Sequence, residues 1–329
     1  MQKSLLPWIY SLSLAIAALW PTTNLYAAQK ELGFEFALIG DTPYNPEQAT
    51  NLFPNMIAEL NRKKLAFVVH DGDIKSGGVP CTDEIFQERL QQFQSFENPL
   101  IYIFGDNEWS DCGKVTNRPF APEERLQKLR EVFTQGERSL GRRTLVLKRQ
   151  SDSEAFVKYR ENVRWTFGNI LFAGLNVPGN DNHFGTSEYQ QRNAANIAWI
   201  KEAFSLAARE NYRALMIIAQ ADPFFELPES NPKRAGFNEM LSVLERETVA
   251  WGKQVVFVHG DSHYFRIDQP LLSSVSHRRL ENFTRVETYG NPDVHWVRVS
   301  VDPVDPNVFT YHAQHVQKNL VKHSAATAK

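Results

Sequence analysis

The chain of 329 residues contains only two cysteines, Cys81 and Cys112, and no C-x-x-C pair, so a thioredoxin-type redox centre is unsupported. It has no G-x-x-x-x-G-K-[ST] loop and no G-x-S-x-G elbow, which removes support for a nucleotide loop and a serine hydrolase. Neither sign of charge dominates: 36 Lys and Arg against 38 Asp and Glu give a net −2. No basic stripe with interleaved aromatics is present, so no nucleic-acid-binding surface is evident. Beyond the first 20 or so residues no segment is apolar enough to cross a membrane. Pro/Ser-rich linkers, low-complexity tracts and internal repeats are also missing, which argues for one domain over residues 30–316 and a polar tail over 317–329.

What the N-terminus does have is the pattern of a secretory leader. Lys3 supplies the positive end, Leu5 to Trp20 is uncharged and mostly apolar, and a small-residue stretch ends at Ala27 and Ala28. Cleavage after Ala27 places Leu25 three residues before the cut, whereas cleavage after Ala28 would place Tyr26 there, so residues 1–27 are assigned as a signal peptide. An uncleaved anchor helix is the other reading, but the apolar run is short and Pro7 interrupts it. The expected location is periplasmic or secreted, where two cysteines favour one disulfide over two free thiols.

Strand-like and helical runs alternate from residue 34 onward. Phe34 to Gly40, Leu65 to His70, Leu100 to Phe104, Asn169 to Asn176, Ala214 to Ala219 and Gln254 to His259 read as buried strands. Asn45 and Pro46 open a helix whose apolar residues run from Ala49 to Leu60. Further helices carry Phe86, Leu90 and Phe93; Ile197, Ile200, Phe204 and Ala208; and Phe237, Leu241 and Leu244. This alternation predicts an α/β fold with a largely parallel sheet, and the closing strands from His263 onward suggest a second sheet packed on the first.

Acids recur at the strand ends. Asp41, Asp73, Asp106 and Asp261 each follow a glycine just beyond a strand, with Glu108 and His263 close behind. Ligands in open α/β sheets bind beyond the carboxyl ends of the strands, and four carboxylates sent to one edge repel unless cations neutralise them. One Gly-Asp pair is ordinary turn chemistry; four in this context point to a metal centre.

The series Gly40-Asp41, Gly72-Asp73-Ile74, Gly105-Asp106-Asn107-Glu108 and Gly260-Asp261-Ser262-His263 resembles the motif series of the calcineurin-like metallophosphoesterases, over residues 34 to 267. The strings VVHDGDIKSGG, FGDNEWSDC and VHGDSHYFRID resemble a divergent exported bacterial branch of it. The resemblance implies a four-layer αββα sandwich, two mixed sheets flanked by helices, with a two-metal centre at the strand ends whose bridging water attacks phosphorus. It carries over Asp41, Asp73 as the metal bridge, and His263. Asp106 and Asp261 carry over by position, in place of the family's Asn and His. Asn107 stands where the family has its proton-donating His, and is taken with Glu108 as the catalytic pair. Pro43 stands where the first motif has a His, and Gln220 to Asp222 contain no counterpart of the fourth-motif His. Loss of a general acid typically costs about 10²–10⁴-fold, while a metal-activated nucleophile would survive it.

Around these, Lys75 is a candidate to bind a substrate phosphate or neutralise a carboxylate. His70, His259, the loop Asn180 to His183, Arg266, Arg285, Trp109 and Tyr44 read as well as packing, turn or ion-pair residues as they do as site residues. Cys81 and Cys112 lie in the loops after Asp73 and Asp106, on strands expected to be neighbours, so they are expected to pair. An oxygen-rich ligand set suits Mg, Mn or Ca rather than Zn. The expected function is exported, metal-dependent hydrolysis of a small phosphorylated substrate. The alternative is a non-catalytic binding module that uses the same fold with a structural cation.

Overall fold

A computed structural model describes residues 33–114, 119–302 and 304–321; the leader, residues 1–27, and residues 322–329 of the tail lie outside the described residues. Twelve strands among the described residues are divided between two sheets. The first has the order β12-β11-β1-β2-β3, formed by β1 (Phe34–Ile39), β2 (Val68–His70), β3 (Leu100–Tyr102), β11 (Trp296–Val301) and β12 (Phe309–Gln314). The second has the order β4-β5-β6-β7-β8-β10-β9. Its strands are β4 (Lys148–Arg149), β5 (Val163–Phe167), β6 (Ile170–Gly174), β7 (Ala214–Ile218), β8 (Gln254–His259), β9 (Arg266–Asp268) and β10 (Phe283–Glu287). Both sheets are mixed: β1, β2 and β3 run parallel, as do β6, β7, β8 and β10, while the outer strands are antiparallel.

The continuous apolar runs are explained by burial on both faces, as in sheets covered by helices. In β1, Phe36 and Leu38 face the other sheet while Ala37 and Ile39 face helices; in β8, Val256 and Val258 face inward while Val255 and Phe257 face out. The seam between the sheets is aromatic, with Phe36 stacked on Phe67 at 4.7 Å and Trp165 on Phe172 at 5.1 Å. Burying each such ring is worth about 1.5–3 kcal/mol.

Helices α1 (Phe53–Leu60), α2 (Asp83–Gln94) and α3 (Pro122–Phe133) cover the first sheet, and α4 (Ser187–Arg209) and α5 (Asn238–Trp251) cover the second. The result is a four-layer αββα sandwich, as expected. The helical segment before α1 opens as predicted, with Asn45 Oδ1 accepting from Gln48 N at 2.9 Å. In α4 the buried residue of the last turn is Ala207, not Ala208, because the helical phase from Ile200 and Phe204 reaches position 207.

One expectation is corrected. The closing strands do not build the second sheet. β11 and β12 extend the first sheet beside β1, β9 and β10 finish the second, and the second sheet is founded by the middle strands β4–β8. A run of strands late in the chain gives no sign of which existing sheet edge each will join.

Candidate active site

The parallel strands of both sheets end at one edge, and their loops build the acidic site. Asp41 follows β1, Asp73 follows β2, Asp106 follows β3 and Asp261 follows β8; all are buried except Asp261, which is half-buried. Asp41, Asp73, Asp261 and His263 have φ of 47°, 59°, 74° and 61°. This left-handed conformation is uncommon for residues with a side chain and clusters at functional sites.

The preceding glycines have a steric reason that turn chemistry does not supply. A Cβ on Gly105 would overlap the Asp73 carboxylate, and one on Gly260 would overlap that of Asp41. Each glycine thus leaves room for the acid of a neighbouring loop.

Tyr44 is at the centre. Its hydroxyl donates to Asp73 Oδ2 at 2.7 Å, lies 3.2 Å from Asp41 Oδ1 and 3.2 Å from His263 Nε2, and accepts from Asn107 Nδ2 at 3.0 Å. Asn107 also donates to both Asp73 oxygens, from its backbone N at 3.1 Å and from Nδ2 at 2.6 Å. His263 Nε2 is 3.5 Å from Asp41 Oδ1, and its Nδ1 is held by Asn291 O at 2.8 Å. Asp261 N lies 3.1 Å from both Asp41 oxygens. From the second sheet, Asn180 donates to Asp106 and, at 2.9 Å, to Asp111. The rest of its loop faces elsewhere: Asn182 is bound to Arg192 and Gly236, and His183 to Glu188.

Burial and mutual repulsion set the electrostatics. Asp73 is held well above the usual carboxylate range by burial and then by Asp106, Glu108 and Asp41. Asp106 is raised by burial and then by Asp261 and Asp111, and Asp261 is pushed up to about 7 by burial and Asp41. Asp71, which the sequence reading passed over, is raised by burial and Asp41; one oxygen accepts from Thr288 Oγ1 at 2.9 Å and the other has no partner among the described residues. Asp106 Oδ1 is likewise buried without a partner among the described residues. Among the described residues, no three acidic, imidazole or thiol side chains form a coordinating group on their own. The Tyr44 hydroxyl and the Asn107 amide stand between them.

Glu108 and Lys75 lie buried beneath the loops. Glu108 is fully buried, and its carboxylate accepts from Tyr102 Oη at 2.6 Å, Gly105 N at 2.6 Å, Asp73 N at 3.2 Å and Ile74 N at 3.4 Å. Oε1 takes three of these hydrogen bonds and Oε2 the longest, so the carboxylate ties the Asp73 and Asp106 loops together. Lys75 is 1% exposed and donates to Ser76 O at 3.1 Å. There it is a buried counter-charge to Glu108 and Asp73, the first-named neighbours of its charge, in keeping with the carboxylate-neutralising role among those expected for it. Arg266 and Arg285 are ion-paired, the first with Asp222 and Glu287, the second with Asp268 and Glu226. Trp109 is core, edge-on to His183. Cys81 and Cys112 are bonded and join the loops after β2 and β3.

The strand-end histidines are buried supports. His70 contacts Thr42 O at 2.9 Å, and His259 contacts Gly260 O at 2.8 Å. Burial pushes each down to about 4 from 6.5. Between those values the unfolded chain binds the extra proton, so each imidazole removes stability as pH falls from about 6.5 towards 4 and has no such effect above 6.5. The buried carboxyls titrate in the opposite sense, so the expected result is a difference: His70→Gln loses less stability than the unmodified chain between pH 7 and pH 5. Urea unfolding at the two pH values measures it, and equal losses would contradict it.

No protein-family model and no curated protein sequence matches the chain. By structure it is similar to PhoD, at 13% identity over 82% of this chain and 64% of that one, with a TM-score of 0.52. GAP50, the anchor in the inner membrane complex of Plasmodium, is similar at 9% identity over 87% and 89% of the two chains, with a TM-score of 0.49. The purple acid phosphatase PPD1 of yellow lupin is similar at 12% identity over 91% and 58%, with a TM-score of 0.48. At these identities the likeness is one of fold, and it rests on PhoD.

Proposed function

We propose that the chain is an exported, metal-dependent phosphoester hydrolase acting on a small phosphorylated substrate. One observation carries this reading. Loops from both sheets hold Asp41, Asp73, Asp106 and Asp261 close enough for burial and repulsion to raise several of them, with Lys75 as a buried amino group among them. One buried amino group is outnumbered by these carboxylates, and Asp106 Oδ1, which has no hydrogen-bond partner among the described residues, is open to a cation. The donors are mostly oxygen, so the residues fit a hard divalent cation, Mg, Mn or Ca.

Asp41, Asp73, Asp106, Asp261 and His263 would hold the cation, with Asp73 central because it meets Tyr44 and Asn107. Bound there, a divalent cation supplies a Lewis acid and an acidified water. Asn107 orients oxygen through its amide and has no proton to transfer, so substrates with good leaving groups are favoured. Glu108 positions the loops. The fold of PhoD supports the architecture, and the leader pattern with the Cys81–Cys112 bond supports export. No helix among the described residues is long and apolar enough to cross a membrane.

The test is a thermal-shift and hydrolysis series on chelated mature protein. Mg, Mn or Ca is expected to raise the melting temperature more than Zn does; saturation at a hundredfold over Kd corresponds to about 2.7 kcal/mol. The same metals are expected to support cleavage of an aryl phosphoester, abolished by chelator. A preference for Zn would reject the ligand chemistry. Indifference to every metal would favour the non-catalytic binding module.

A further inference from the structure

Four groups from four loops lie within hydrogen-bonding reach of one oxygen, the Tyr44 hydroxyl. Asp73 Oδ2 is at 2.7 Å, Asn107 Nδ2 at 3.0 Å, and Asp41 Oδ1 and His263 Nε2 at 3.2 Å each. Hydrogen bonding accounts for only part of this. A phenol has a single proton, and the short contact to Asp73 uses it. Asp41 Oδ1, at 3.2 Å from the same hydroxyl, competes for that one proton, whereas a cation touching both oxygens would attract the two together. The separations are also those of neighbouring ligands. Around a hard cation with donors at about 2.0–2.1 Å in octahedral geometry, adjacent donors lie about 3 Å apart. Tyr44 Oη, Asp41 Oδ1 and His263 Nε2 form a triangle with sides of 3.2, 3.2 and 3.5 Å. The acids and imidazole alone do not make a coordinating group; adding this phenol completes a three-donor face.

We propose that Tyr44 is itself a ligand of the cation, its oxygen taking a position that imidazole does not fill in this site. The proposal rests on the cation-dependent reading above. On ligation the phenol proton leaves to solvent and the oxygen bonds to the metal as phenolate. Tyr44 follows Asp41 by three residues, so one loop delivers two donors. Pro43 between them restricts the backbone that sets their relative aim.

The test titrates manganese(II) alone into chelated mature protein, followed by calorimetry and by near-ultraviolet difference absorbance. The unmodified protein is expected to bind manganese and to develop the difference band of a tyrosine turned phenolate. Tyr44→Phe keeps the ring that packs edge-on to His263 at 5.1 Å, so the metal-free protein should remain folded, yet manganese affinity should fall by at least about tenfold and the band should vanish. Loss of a mere hydrogen-bonding partner also costs about 10–100-fold in metal affinity, so the band is the deciding readout. Manganese binding without the band, or Tyr44→Phe binding as tightly as the unmodified chain, overturns the ligand role and leaves the cation reading standing. Failure of the unmodified chain to bind manganese, magnesium or calcium overturns both.

Discussion

Replacing Asp73 with asparagine is expected to remove cation binding and hydrolysis together while leaving the fold intact. The Asp73 carboxylate accepts from Asn107 N, Asn107 Nδ2 and Tyr44 Oη. An asparagine amide in its place would set an NH2 group against the Asn107 amide or the tyrosine and would offer no charge to a cation. The expected loss of activity exceeds the roughly 10–100-fold seen when only an outer partner of a ligand is removed. Metal-free stability should move the other way. Burial, Asp106, Glu108 and Asp41 all disfavour the Asp73 charge, so the neutral amide relieves repulsion. The metal-free variant should melt at least as high as the unmodified protein, and addition of metal should no longer shift it. Metal analysis, melting curves with and without metal, and aryl phosphoester hydrolysis check each part. A variant that keeps its metal and its rate would show that another carboxylate is central. Asp41→Asn and His263→Ala should act in the same direction with smaller effect.

Removing the disulfide is expected to give the largest change in stability. The bond spans a separation of 31 residues. Closing a loop of that size restricts the unfolded chain by about 3–4 kcal/mol. Both sulfurs are buried in the cluster beneath α2 and α3, so alanine is a better replacement than serine, whose hydroxyl would need a partner there. The double variant Cys81→Ala, Cys112→Ala should therefore unfold at a markedly lower urea concentration, and reductant should lower the midpoint of the unmodified chain but not of the variant. The sulfurs lie 3.5 and 3.8 Å from Asn107 O, so the same change should loosen the residue that clasps Asp73. An unchanged midpoint would mean that the loops are held by other contacts.

Much of the architecture could be read because helix-covered strands are apolar on both faces and end abruptly at Gly-Asp. β8 was legible to the residue. Other elements left fainter traces. β5 and β6 form a hairpin across the two-residue Gly168-Asn169 turn, but Arg164 and Thr166 interrupt the apolar run of β5. α3 carries Leu126, Leu129 and Phe133 at helical spacing after Pro122, a pattern partly hidden by its seven charged and amide residues. At the site, the sequence showed which acids reach the edge but not how they meet. Tyr44 looked like a pocket wall because only the fold brings Asp73, Asn107 and His263 around its hydroxyl. Lys75 and Glu108 looked reactive because spacing alone does not distinguish a charge facing solvent from one sealed under a loop. Asp71, one residue from a motif glycine, was passed over for the same reason.

The position of β11 has a consequence for how the molecule is assembled. β11 lies between β12 and β1, pairing Phe34 with Val301 across almost the whole described chain. Until that late segment is available, β1 presents a bare row of amides and carbonyls on one side, an edge that invites pairing with other chains. Contacts of such long sequence separation form slowly, because loop closure comes before the gain from pairing. The first strand delivers Asp41 and Tyr44, so the centre cannot be aligned by a growing chain that has made only its first three strands. A chain cut short before residue 296 would hold most of its acids and still lack the neighbour that fixes the strand carrying the first of them.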